Sequence, residues 1–246
     1  MHISRFADAY RADIHSYKKR ASEKTLSVSE LWSKGKPVLL TPASFANCVL
    51  EDVRSGLRAS IARVHAEFDA ARELVEQRYT ARGYKSMSDS GRPYKETHAV
   101  TVLATQNDHT VGTMTLRFDS IAGLNVDDAY GAEVSAVRDG GGVACELTCL
   151  AVAPEANSQA TLAALFRLAY FIADKLGVTD VFIEVNPRHE RFYRRVLDFT
   201  VAAGERLCPR VQAPAVLLHQ DMVNLGKRLG GFPPPTRHGA RELAAA

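Results

Sequence analysis

The chain has no long apolar run. The longest stretch without a polar residue is Leu168 to Ala173, six residues, against the roughly 20 needed to cross a bilayer as a helix. No transmembrane helix is expected. Near the start, Arg5 is followed by Asp8 and Asp13 before any hydrophobic stretch can build, so the secretory pattern is missing and the cytoplasm is the expected location. Only four cysteines occur in 246 residues (Cys48, Cys145, Cys149 and Cys208), with no Cys-x-x-Cys pair and no histidine at zinc spacing, which leaves no metal or disulfide framework to propose. Charge of one sign is also lacking: 31 Lys and Arg against 28 Asp and Glu give a net +3, too small to imply nucleic acid. There is no G-x-G-x-x-G, no G-x-x-x-x-G-K-[ST], no G-x-S-x-G and no H-E-x-x-H, so the commonest nucleotide, hydrolase and metalloprotease chemistries are set aside.

What remains is a globular composition, 46% hydrophobic and 24% charged, long enough for a sizeable core. Residues 1–44 are polar and without sustained period and read as an N-terminal extension. From Ser44 to Tyr79 the residues Val49, Val53, Leu57, Ile61, Val64, Phe68, Leu74 and Val75 recur at helical spacing, which predicts one or two amphipathic helices over 45–80. Thr97 to Thr105 and Val111 to Phe118 read as a β-hairpin around Gln106-Asn-Asp-His109. A short helix is expected around Ala132 to Val137, and a third strand over Val143 to Val152. A helix capped by Asn157 or Ser158 then carries the stripe Leu162, Leu165, Phe166, Ala169, Ala173 and Leu176. Asp180 to Val185 is a strand, Asn186-Pro187 opens a helix to Leu197, and Thr200 to Leu207 and Ala215 to His219 read as strands. The order predicts an α/β (α+β) domain over 45–229, with a mixed central sheet flanked by helices. Residues 230–246, with Gly230, Gly231 and Pro233 to Pro235, are expected to be a disordered tail.

Two stretches are more than generic. Cys145-Glu-Leu-Thr-Cys-Leu-Ala-Val152 resembles the Glu-Leu-Ser-Arg-Phe-Ala-Val strand of acyl-homoserine-lactone autoinducer synthases. Glu184-Val-Asn-Pro-Arg-His-Glu-Arg-Phe-Tyr-Arg-Arg-Val-Leu-Asp-Phe199 resembles the Asn, Phe-Tyr, Leu-Gly-Phe ending of GNAT acyltransferases. With Cys208-Pro-Arg-Val, Pro214-Ala-Val-Leu-Leu218, Arg78-Tyr79 and Gly83-Tyr84, the combination is most similar to the long-chain N-acyl amino acid synthases of the FeeM type, over about residues 70–222. The resemblance implies a GNAT-like acyl-CoA N-acyltransferase fold. It also implies transfer of a fatty acyl group from a phosphopantetheine thioester, usually on acyl carrier protein, to the α-amine of an amino acid. The acyl-phosphopantetheine is then a co-substrate and no cofactor is bound. Three positions depart from the pattern. Ala153-Pro-Glu-Ala-Asn-Ser158 has no glycine where CoA enzymes cradle a pyrophosphate on backbone N–H groups, which favours a carrier-protein donor. Cys149 replaces an arginine, and Asp198 a glycine. The competing readings are a CoA-dependent GNAT N-acetyltransferase and a catalytically silent acyl- or carrier-protein-binding module.

Amide formation from a thioester needs a neutral amine, a path for its protons and help for the leaving thiolate. Strand alternation puts Ala144, Glu146, Thr148, Leu150 and Val152 on one face. Glu146 among apolar neighbours is either a structural carboxylate paired with an arginine such as Arg117 or, as the resemblance implies, the base. Tyr193 is either core or the acid for the leaving sulfur. Asn186 caps a helix and in the resemblance contacts pantetheine. His189 is a surface residue or a proton relay. For the acceptor's carboxylate an arginine fork is suited. Arg78, Arg82, Arg117 and Arg210 are candidates, with Arg78 and Arg117 ranked first because they fall in matched segments, beside Tyr84. A splayed strand ending at Val152, with Leu150 on it and a V-shaped gap to its neighbour, is expected to hold the pantetheine arm through its backbone. Met114, Leu116, Leu150, Phe166 and Phe182 are core residues or the lining of an acyl channel. Arg188, Arg191, Arg194 and Arg195 form a basic helix face, solvated or suited to an acidic carrier protein. Cys145 and Cys149 read as small core residues.

Overall fold

The computed structural model describes residues 48–52, 55–85, 98–230 and 236–237. Nearly all of the expected extension 1–44 and tail 230–246 lies outside them. Among the described residues nine strands form one sheet. They are β1 (Cys48–Asp52), β2 (Leu57–Ile61), β3 (Ala99–Gln106), β4 (His109–Phe118), β5 (Ala144–Val152), β6 (Asp180–Val185), β7 (Thr200–Cys208), β8 (Ala213–Asp221) and β9 (Thr236–Arg237), in the spatial order β7-β8-β6-β5-β4-β3-β2-β1-β9. The helices described with them are α1 (His65–Thr80), α2 (Asp127–Asp139), α3 (Ser158–Lys175), α4 (Pro187–Leu197) and α5 (Met222–Arg228). The mixed α/β class is as expected. The short α5 was not anticipated, and Thr236–Arg237 of the expected tail pair with Cys48–Val49 at the sheet's edge.

The helix expected across 45–80 is corrected in its first half. Val49, Val53, Leu57 and Ile61 are four apart, which fits a helix. Yet Leu57, Ala59 and Ile61 are buried while Arg58 is exposed, a period of two, and Gly56 at φ 65 turns β1 back onto β2. A spacing of four satisfies both periods, and the left-handed glycine decides for the hairpin. The 97–118 hairpin is as predicted: Asn107 and Asp108, at φ 51 and 62, supply a two-residue turn that suits the twist of β3 and β4.

All neighbouring strands are antiparallel except β5 and β6, which α3 joins by a crossover. Asn157 caps α3 by accepting from the Ala160 N–H at 3.3 Å. The larger core lies between the sheet and α1, α3, α4 and α5. It includes Leu74, Leu165, Phe166, Leu168, Ile172 and Tyr193. A smaller cluster of Leu124, Val126, Tyr130, Val134, Phe182 and Leu217 covers the other face under α2. The Tyr130 hydroxyl donates to the Ala215 carbonyl at 2.6 Å and so pins α2 to β8. Arg138 near the end of α2 grips both Asp119 and Asp127 at 2.6–2.9 Å, which closes the loop between β4 and α2. At the C-terminus of α4, Asp198 holds the left-handed position at φ 57 that glycine usually fills.

Gly112 on β4 lies against α3. A Cβ there would come within 2.4 Å of Thr161 Cγ2 and 3.2 Å of Leu165 Cδ1. The Gly112→Ala variant is expected to lose about 1–3 kcal/mol of stability, read as a lowered urea midpoint with unchanged slope.

Candidate active site

The parallel pair at the centre of the sheet does not run its full length. β5 and β6 are in register from Ala144 opposite Asp180 to Leu147 opposite Ile183, and pairing then stops. On β5's other side the register steps from Thr115 opposite Thr148 to Thr113 opposite Ala151. Three residues of β5 therefore answer two of β4, and Cys149 takes up the excess at φ 53. Meanwhile β6 stays paired with β8 as far as Val185. The two strands part like a V and open a cleft of about 130 Å³ with both Leu147–Leu150 and Ile183–Asn186 on its walls.

The bulge also changes which side chains share a face. Val152 is opposite Gly112, whose missing Cβ points at α3, and Leu150 packs on the larger core. The expected common face of Glu146, Leu150 and Val152 is thus corrected: the extra residue shifts the alternation by one beyond Thr148.

Of the residues singled out from sequence, Tyr84, Leu150, Asn186, His189 and Tyr193 line the cleft, and Glu146, Arg78, Arg117 and Val152 do not. Tyr193 is both core and cleft. Its ring meets Phe166, Phe192 and Phe199 edge-on at centroid distances of 5.2–6.4 Å, and burial pushes its hydroxyl well above the usual tyrosine range. Asn186 caps α4 by accepting from the Arg188 N–H at 3.3 Å and donates to the Pro214 carbonyl at 3.2 Å, which ties β6 to β8 beside the opening. Arg188 reaches the Tyr84 hydroxyl at 3.0 Å and His189 Nε2 at 3.3 Å. Burial, with Arg82 and Arg188 nearby, pushes the His189 pKa down and favours the neutral ring. The Lys85 N–H donates to the Val211 carbonyl at 3.0 Å and so holds the segment after α1 over the cleft.

Tyr79 and Glu184 line the cleft without having been assigned a role, and the two arginine candidates ranked lower, Arg82 and Arg210, line it as well. Tyr79, one step from the favoured Arg78, turns inward and meets Tyr84 edge-on at 5.6 Å. Arg82 and Arg210 line the cleft in place of Arg78 and Arg117, and Glu184 joins them. The helical phase of α1, which turns Tyr79 about 100° away from Arg78, was the available signal for Tyr79, whereas Arg82 lies beyond the helix's last residue, Thr80. Met114, Leu116, Phe166 and Phe182 are 0–3% exposed and belong to the core.

Beneath the cleft two carboxylates flank one guanidinium. Glu146 is 1% exposed, and its Oε2 accepts from the Asn125 N–H at 2.7 Å and the Val126 N–H at 3.3 Å. Burial pushes its pKa up to about 7, against the pull of Arg210 and these two N–H groups. Arg210 donates to the Asn125 carbonyl at 2.5 Å, to Asp128 at 3.3 Å and to Glu184 Oε2. Arg117 lies opposite Glu146 in the register, and its Nε donates to the Gly123 carbonyl at 3.3 Å. Cys145, Cys149 and Cys208 are buried free thiols that burial pushes up in pKa, so none has thiolate character.

A mixed sheet whose one parallel pair splays at a bulge, with a helix starting at each tip of the V, is the architecture of the GNAT-like acyltransferases. The family model described as N-acyl amino acid synthase FeeM matches residues 70–221, and the chain belongs to that family. Among solved structures, FeeM itself, an N-acyl amino acid synthase from uncultured soil microbes, is 26% identical with a TM-score of 0.62, over 70% of this chain and 93% of that one. The acyl-homoserine-lactone synthase LasI is 16% identical at a TM-score of 0.50, over 74% of this chain and 100% of its own. A chain from Lactobacillus plantarum described as an N-acetyltransferase is 17% identical at a TM-score of 0.51, over 68% and 99%. No curated protein matches. The chain is accordingly an N-acyltransferase.

Glu146 makes stability depend on pH in a known direction. Its folded pKa of about 7 lies above the ordinary 4.5, so between these values the folded chain keeps a proton the unfolded chain has lost. The contribution to stability is full below the ordinary value and falls as pH rises through the folded one, by on the order of 3 kcal/mol. In Glu146→Gln this decline is absent. Urea melts at about pH 5 and pH 8 are expected to show the variant gaining on the wild type at the higher pH.

Proposed function

We propose that the protein transfers a long-chain acyl group from acyl carrier protein to the α-amine of an amino acid by direct attack. The observation that carries this reading is the unpaired reach of β5 and β6, whose facing backbone groups are available to the amide-rich pantetheine arm. The donor's identity rests on two features. The turn before α3, Ala153 to Asn157, holds no glycine and contributes Glu155, a poor cradle for a pyrophosphate. Beside the cleft, Arg191, Arg194 and Arg195 are exposed on α4, a basic face for an acidic partner. The catalytic unit is residues 45–229.

In this reading the acceptor's carboxylate meets Arg82, an exposed cleft arginine without an ion pair among the described residues. The Tyr193 hydroxyl, with no hydrogen bond from the described residues, supplies the proton for the departing sulfur, and Asn186 and His189 flank the arm. Glu146, poised near neutrality, is the proton sink. Since it does not line the cleft, it works through a neighbour. Protein solubility in the cytoplasm is part of the same proposal, and no helix among the described residues is long and apolar enough to cross a membrane.

Incubation with palmitoyl acyl carrier protein or palmitoyl-CoA and the common amino acids, read by mass spectrometry, is expected to give an N-acyl amino acid, faster from the carrier protein. An acetylated amine from acetyl-CoA instead overturns the reading. Tyr193→Phe is expected to lower kcat about 10–100-fold. Charge reversal of Arg191, Arg194 and Arg195 is expected to raise the KM for acyl carrier protein, with little effect on a small acyl-pantetheine donor, and to remove the salt dependence.

A further inference from the structure

Glu184 is the one cleft-lining carboxylate among the described residues, and the acyl-transfer reading above leaves it without a role. It sits on β6 one residue past the last pair with β5, at the point where the V opens. Its side chain is 6% exposed, and its two oxygens are treated differently. Oε2 is bound by Arg210, while Oε1 has no partner with hydrogen-bond geometry among the described residues. A carboxylate oxygen buried without a donor is costly to keep unless a polar group arrives there during use. Register puts Phe182 opposite Glu146, so Glu184, two residues on, faces the same side of the sheet as Glu146, with Arg210 between the two acids.

We infer that Glu184 is the catalytic residue the attacking amine meets, its unpartnered Oε1 taking the first proton the nitrogen sheds. This rests on the acyl-transfer reading. An ammonium nitrogen carries three hydrogens and the product amide one, so two must leave. The first passes to Glu184 Oε1, which frees the lone pair. The C–N bond then forms and the C–S bond breaks. The second proton leaves with the sulfur through Tyr193, and Glu184 returns its own to solvent, while Glu146 acts on Glu184 only through its charge. The groups that face Glu184 come from every side: Arg210 before β8, Cys208 at the end of β7, Asp128 and Tyr130 on α2, and Glu146 on β5. Burial raises the Glu184 pKa, with Asp128 adding to it, and Arg210 and the Cys208 thiol opposing.

The test is steady-state transfer from palmitoyl acyl carrier protein to a mixture of the common amino acids, by the wild type, Glu184→Gln, Glu184→Ala and Glu146→Gln. Glu184→Gln is expected to lose about 100-fold or more in kcat with the donor's KM unchanged. Added formate, which fits the space the alanine variant leaves, is expected to restore at least about tenfold of its loss. Glu146→Gln is expected to keep more activity than Glu184→Gln, because the amine still meets an acid. If the wild type forms no acyl amide from any pairing, the acyl-transfer reading fails. If it turns over and Glu184→Gln stays within about tenfold, or formate does not rescue a folded Glu184→Ala, this inference alone falls. Should Glu184→Ala not fold, the glutamine variant decides by its pH profile. Loss of the wild type's acid limb in kcat supports the assignment, and its persistence overturns it.

Discussion

The whole site depends on one residue too many in β5. A parallel strand pair in the middle of a sheet is normally zipped along its length, because each unpaired N–H and C=O away from water costs free energy. Here Cys149 adopts a left-handed backbone, the strand bows away from β6, and two runs of backbone are left facing a cleft instead of each other. The cost is carried by the rest of the fold. β5 stays anchored to β4 on both sides of the bulge, and β6 to β8 up to its last residue. The helices α3 and α4 start at the two tips, each fixed by an asparagine cap.

The electrostatics follow from that geometry. An opening between central strands brings side chains from mid-sheet to a wet surface, so Glu184, which would otherwise be wholly interior, lines the cleft, with Glu146 buried behind it. Glu146 and Glu184 share Arg210, and a single positive charge cannot offset two buried negative ones. The pair therefore holds protons more tightly than exposed carboxylates do. Arg210 itself is held by the Asn125 carbonyl and Asp128, from the start of α2. That helix is in turn pinned by Tyr130 and by the grip of Arg138 on Asp119 and Asp127.

Much of the fold was legible because its signals are local. The Asn107-Asp108 turn, the Asn157 cap and the stripe of α3 each combine a periodic pattern with a terminator, and each appears where the residues place it. The first hairpin was not legible, since apolar residues four apart fit either period and only Gly56 separates the alternatives. Within the site, the residues of the Asn-Phe-Tyr segment, Asn186, His189 and Tyr193, reach the cleft together because one helix carries them. Arg78 and Arg117 do not, since membership of a matched segment says nothing about which way a side chain faces. The resemblance led to the expectation of a splayed strand, but not of the bulge at Cys149 that splays it. This bulge moves Leu150 and Val152 to the other face and creates the cleft, yet no residue type marks it: a cysteine with positive φ is a product of its neighbours. Glu184 was hidden for a related reason, because its character comes from where pairing ends.

The loop between β4 and α2 is tied at both ends by Arg138, while its tip, Ile121, stands wholly in solvent. Such a tethered turn behaves as a handle. A fluorophore or affinity label attached at residue 121 would sit on the same segment that presents Asn125 and Val126 to Glu146. It would report from outside on the tightness of the acid cluster, without occupying the space the reactants use.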